Sequence, residues 1–262
     1  MKKFVVRLFI GLLVLILLAV LAVHFFLDGA IKKGFNSVGP KITKVDTKLD
    51  AVSLSIMSGA GKMKGLFVGN PEGYKSPSAI QVGTSSFAVQ PGTLLSDKII
   101  VKSVKVEAPE VTFETDLKGN NLKKLLSNIE ETTGSGKEPT KEPSKEPAAK
   151  AGKKLEVDEF IITGTKLHIS VNAPLVGQKT FSTGVPDINL PPMGKGAEGV
   201  TAGEVSSVAL KALLEKVIPI AEGIVADMVK GGQFMGKDLG TNTTGTIEKA
   251  TKGLGDLLQK KK

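Results

Sequence analysis

The chain has 262 residues, no cysteine, no tryptophan, a single tyrosine and a formal net charge of +9. Without cysteine there is no disulfide, no thiol chemistry and no Cys-ligated zinc. Arg7 is the only arginine among 35 basic residues. Base readout and bidentate phosphate clamping favour arginine's planar fork, so nucleic acid is not an expected partner. Solvated lysines, or weak attraction to anionic lipid headgroups, account for the charge.

Met1-Lys2-Lys3 and Arg7 lead into Leu8–Leu27, an apolar run interrupted only by Gly11 and His24. Its length spans roughly 30 Å as a helix, the thickness of a bilayer's hydrocarbon core. With Leu8, Leu12, Leu15, Leu18, Leu21 and Phe25 as anchor residues, the expectation is a single-pass transmembrane helix. The basic flank keeps the N-terminus cytoplasmic and puts the bulk of the chain on the other side, which in a bacterium is the periplasm. A cleavable signal peptide is the alternative, since Val20 and Ala22 offer small residues. Against it, His24-Phe25-Phe26-Leu27 prolong the apolar run and no Ala-x-Ala follows.

Ile31–Gly39 reads as a short helical or irregular exit, and from Lys41 to Glu114 the pattern turns to β. Val45-Thr47-Leu49, Val52-Leu54-Ile56, Met63-Gly65-Phe67 and Val111-Phe113 each alternate with polar residues. Gly59-Ala60-Gly61, Gly69–Gly73 and Gln90-Pro91-Gly92 punctuate them as turns. Within Lys98–Glu107 the phase slips between Val101 and Val104, which predicts a bulge near Lys102-Ser103. Gly119–Glu131 switches to helix, with Leu122, Leu125, Leu126 and Ile129 on one face and Asn120 or Asn121 as cap.

Thr132–Lys154 carries three Lys-Glu-Pro triplets and no apolar residue larger than alanine, the composition of a solvated linker that supplies reach. Leu155–Val171 returns to β, and Lys179–Leu190 predicts a further strand. Thr201-Ala202-Gly203-Glu204 has capping-box spacing and opens a helix with Val205, Val208, Ala209, Ala212, Leu213 and Val217 on its apolar stripe. Pro219 is expected to kink or divide that helix, and Gly231-Gly232 to end it. Ile247–Leu258 is a last amphipathic piece before a lysine tail, with the pattern of a segment that recruits a partner or lies on a membrane surface.

The catalytic inventory is thin. His24 lies in the anchor and His168 on a strand's polar face. The adjacent acidic pairs Glu130-Glu131 and Asp158-Glu159 sit at element ends. No phosphate loop, nucleophile elbow or dinucleotide fingerprint is present. The chain therefore reads as a non-enzyme without metal or cofactor.

Gly65–Tyr74 resembles the strand followed by an Asn-Pro-x-Gly-aromatic turn of AsmA-like proteins. Ile80–Val82, Phe87-Ala88-Val89, Thr93–Ser96, Ile99–Val106, Ala108–Glu114 and Lys118–Leu122 follow in that family's order. The resemblance covers Met1–Glu131, half the chain. It implies a curved β-sheet with an apolar inner surface, an inner-membrane anchor, and a part in outer-membrane biogenesis or lipid homeostasis by moving phospholipid along the groove. About ten strands at 4.8 Å give a sheet only about 50 Å across, too short to bridge a periplasm.

The expected fold class is α+β, mainly β: an N-terminal transmembrane helix, a curved antiparallel sheet, a helix, a charged linker, further strands and a long C-terminal helix. The expected regions are 1–27 (anchor), 28–131 (sheet and helix), 132–154 (linker), 155–232 (second β segment and helix) and 233–262 (polar tail). Val52, Leu54, Ile56, Phe87, Val89, Val111 and Phe113 are the candidate groove lining, with lipid acyl chains as ligand. The alternative is an envelope scaffold with a closed core, whose C-terminal helices recruit an envelope protein or a second copy.

Overall fold

The structure is a computed structural model and describes residues 10, 11, 14, 27–133, 153–173 and 177–229. Leu8, Leu12, Leu15, Leu18, Leu21 and Phe25, most of the linker, Gly231-Gly232 and Ile247–Leu258 lie outside the described residues. No helix among the described residues is long and apolar enough to cross a membrane.

Among these residues, ten strands join in one mixed β-sheet that curls into a half-barrel, accompanied by three helices. β1 (Thr47–Leu54), β2 (Ala60–Val68), β3 (Ile80–Val89) and β4 (Lys98–Glu107) pair antiparallel in sequence order. β5 (Glu110–Thr115) prolongs β4 and also pairs with β3. The sheet is not antiparallel throughout, as the alternating pattern had suggested. β6 (Lys154–Val157), β7 (Phe160–Thr163) and β8 (Lys166–Ala173) run parallel to β4 and β5, at one constant offset from Lys98↔Lys154 to Thr115↔Val171. Parallel pairing needs a long crossover, and the stretch between β5 and β6 supplies it. β9 (Gly177–Gly184) and β10 (Ile188–Leu190) complete the sheet antiparallel to β8 and β7.

A crease crosses the sheet at one level. Pairing lapses at Asp50 in β1, Gly65 in β2, Gly83 in β3, Ala108-Pro109 between β4 and β5, Gly164 between β7 and β8, and Pro186 between β9 and β10. The residue types suit the break. Gly65, Ala108 and Gly164 have φ of 65°, 47° and 64°, and Pro109 and Pro186 cannot donate to a ladder. At each lapse the buried parity switches, from Leu49 to Val52 and from Val82 to Ser85, for example. The apolar face therefore stays inward on both sides. Phe67 consequently lies on the opposite face from Met63, contrary to their shared parity in the sequence. The expected slip at Lys102-Ser103 is present: the β3–β4 register shifts between Ala88 and Val89.

α1 (residues 27–43) runs antiparallel to β1 and covers its free edge. Asn36 Nδ2 donates to the Leu49 carbonyl at 3.3 Å, and Leu49 N–H donates to Asn36 Oδ1 at 2.7 Å. Leu54 N–H donates to Asp28 Oδ1 at 2.9 Å. These bonds occupy strand groups that would otherwise template aggregation. α2 (Asn121–Thr133) buries Leu122, Leu125 and Ile129. α3 (Ala202–Val229) begins with the expected capping box: Glu204 N–H donates to Thr201 Oγ1, and Thr201 N–H donates to Glu204 Oε2 at 2.6 Å. Val208 is exposed rather than on its buried stripe. Pro219 does not divide α3. Pro219 and Glu215 both face solvent, so the carbonyl bond the proline forfeits is lost on the exposed side of the helix. Val217, Ile218 and Ala221 hold the buried side across it.

Candidate functional site

The structure separates the seven candidate groove residues into three groups. Leu54, Val89, Val111 and Phe113 belong to one buried cluster with Leu122, Leu125 and Ile129 of α2 and Leu214 and Val217 of α3. Val111 is 0% and Phe113 1% exposed. Val52 is buried outside that cluster. Ile56 and Phe87 are only half-buried, and both line an open depression of about 600 Å³. α2 and α3 cover the inner face at β5, β8 and β10, and the open hollow lies on the other face.

That hollow is built from two cross-strand rows. Ser53, Lys62, Ser86 and Lys105 are successive partners across β1 to β4, and Ala60, Ala88 and Ser103 form the next row with Ser55 beside Ala60. Their parity is opposite to Leu54, Val89 and Val104, so this is the face turned away from the core. Small side chains across neighbouring strands leave the sheet's backbone uncovered and thereby create the depression. Phe87 instead shares the inward parity of Leu54 and Val104, and its ring lies over Gly61, 2.2 Å from where a Cβ there would go, packed against the core cluster. Lys62 and Lys105 have no acidic partner among the described residues, whereas Lys98 pairs with Glu156 and Lys102 with Asp158. Hydroxyls, two unpaired ammonium groups and an apolar margin can hold an anionic amphiphile. They supply no nucleophile–base pair.

The Asn-Pro-Glu-Gly-Tyr turn has a structural task. Asn70 Nδ2 donates to the Ser76 carbonyl at 2.6 Å, and Asn121 Nδ2 donates to Asn70 Oδ1 and to the Thr112 carbonyl, both at 2.7 Å. Glu114 N–H donates to Asn121 Oδ1 at 2.8 Å. The Glu114 carboxylate, buried at 8% exposure, accepts from Lys75 N–H at 2.8 Å and Ser76 N–H at 2.7 Å. Burial alone would raise its pKa. The bonds from the Ser76 hydroxyl and from the Lys75 and Ser76 amides outweigh burial and hold it below the usual carboxylate range. Burial also pushes the neighbouring Tyr74 hydroxyl up, reinforced by the charges of Asp116 and Glu114. Sequence reading missed Glu114 because its parity placed it on the wet face of β5. The signal was the turn itself, whose bare amides need an acceptor.

His168 Nδ1 lies 2.8 Å from Ser182 Oγ on the exposed side of the β8–β9 pair, a bond that suits a surface cross-strand contact. No group of three or more His, Asp or Glu able to hold a metal occurs among the described residues. No family model, curated protein or solved structure matches the chain.

Proposed function

We propose that this chain is a non-catalytic envelope protein of AsmA type, tethered to a bacterial inner membrane by Leu8–Leu27. Its periplasmic body is self-covered rather than an open conduit. The observation that carries the reading is the burial of Val111 and Phe113 in one cluster with α2 and α3. A lipid passing along the inner face has to displace both helices. A role in outer-membrane biogenesis or lipid homeostasis is then served by scaffolding, with α3 and the chain beyond it recruiting an envelope partner. The test is photocrosslinking in the full chain, reconstituted in vesicles containing an alkyne-tagged phospholipid, with the crosslinker at position 113 or 87. The scaffold reading expects no tag at 113. Equal tagging at 113 and 87 restores the conduit.

A second reading is favoured by Lys62 and Lys105 in the open hollow beside Ser53, Ser86 and Ser103. In it, the protein holds a single lipid by its headgroup on the outer face of the sheet. Tagging from a crosslinker at position 86, on the hollow's own face, abolished by Lys62→Gln with Lys105→Gln, supports it, and tagging there that survives those changes rejects it.

A further inference from the structure

We infer that the end of the sheet carrying Met57 and Leu95 rests in the interface of the bilayer that anchors the chain. The inference builds on the tether proposed above. Met57 is 89% and Leu95 94% exposed, the two most exposed large apolar side chains among the described residues. They occupy adjoining loops. Gly59 of the β1–β2 hairpin packs beside Val89 and Pro91, with a Cβ there 3.2 Å from Pro91 Cδ, and Val89 N–H donates to the Gly59 carbonyl at 2.9 Å.

Neither exposure comes from a loose loop. Thr93 N–H donates to Gln90 O, Leu94 N–H to Pro91 O and Ser96 N–H to Thr93 O, while Ile100 N–H donates to Thr93 Oγ1 at 3.0 Å. The fold spends ordered backbone to hold an apolar side chain outward, which is unfavourable in water and favourable at a lipid interface.

The same end receives the apolar N-terminal segment. Leu27 packs against the core, and Asp28 beside it bonds to Leu54, three residues before Met57. A strand rise of about 3.3 Å per residue puts the hairpin tip within about 10 Å of that bond. Ile10 and Val14, both described positions of the apolar segment, are helical and exposed. Lys32 and Lys33 are exposed early in α1, and the Lys153 ammonium reaches the Leu94 carbonyl. Asp97 is the acidic side chain in the loop. The end therefore presents two apolar tips amid lysines, the composition of a segment that sits among anionic headgroups.

The chain's lack of cysteine gives a direct test. Single variants Met57→Cys, Leu95→Cys and, at the opposite end, Lys118→Cys are labelled with an environment-sensitive fluorophore in the full chain. They are reconstituted in phosphatidylcholine–phosphatidylglycerol vesicles and floated. The expected result is a blue shift at 57 and 95 that lipid spin-labelled near the headgroup quenches, with no shift at 118. Flotation with all three labels equally water-exposed overturns the inference and leaves the tether standing. A blue shift that follows protein density and resists lipid quenching assigns the tips to a second copy, and also overturns it. Failure to float removes the tether and the inference together.

Discussion

At one end of the sheet, the Asn70–Ser76 turn, the last residues of β5 and the start of α2 are locked by Asn70, Glu114 and Asn121. At the other end, the Ser55–Ala60 hairpin and the Pro91–Asp97 loop are equally well ordered, yet they leave Met57 and Leu95 in solvent. Similar order with opposite exposure separates two uses of the same architecture. The turn end puts its hydrogen bonds into closing the molecule, and the tip end puts them into displaying side chains. Stability should therefore concentrate at the first end and binding at the second.

The sharpest way to break this comparison is to truncate one phenylalanine at each end. Phe113→Ala, at a site 1% exposed, should cost about 3–5 kcal/mol in denaturant unfolding. Phe87→Ala, half-buried, should cost roughly half as much. Equal losses would erase the distinction. Glu114→Gln should cost about 1–3 kcal/mol near neutral pH, because buried amides lose a charged acceptor. Its folded-state pKa is depressed, so the stabilisation is complete above the unfolded pKa and lost as pH falls through the folded one. The gap between wild type and variant should close over that acidic range, which parallel unfolding curves at several pH values would reveal.

Gly65→Ala places a Cβ 2.0 Å from an Asp50 carboxylate oxygen at a φ of 65°, for a loss of about 1–2 kcal/mol. The Asp50 Cβ is itself 2.8 Å away, so adding Asp50→Gly separates the causes: recovery relative to Asp50→Gly alone identifies the side-chain clash, and no recovery identifies backbone strain. The smallest effect belongs to Lys62→Gln with Lys105→Gln: a stability change within about 0.5 kcal/mol, read from the same unfolding curves. A larger loss would make the hollow's lysines structural.

Local features were the most legible in the sequence. The capping box at Thr201, the stripe Leu122–Ile129 and the slip at Lys102 are each set by residues a few positions apart. The pairing of β6–β8 with β4–β5 was not legible, since nothing in Lys154–Val171 names its partner strand across the intervening stretch. Burial of Val111 and Phe113 followed from alternation, but the cluster they join extends to α3, more than eighty residues later. The parity of Phe67 was misread because a period of two assumes an unbroken pleat, and Gly65 breaks it. Ile56 and Phe87 share the inward parity of the sealed residues, but they lie toward the end of the sheet away from β5, β8 and β10, where α2 and α3 pack.

α1 grips the free edge of β1 at two points, and they fall on opposite sides of the crease. Leu54, held by Asp28, lies above Asp50, and Leu49, held by Asn36, lies just below it. The helix thus splints the seam between two panels of sheet. Changing the angle between the panels means releasing one of those grips, so any pull or tilt delivered through residue 27 reaches the bend directly.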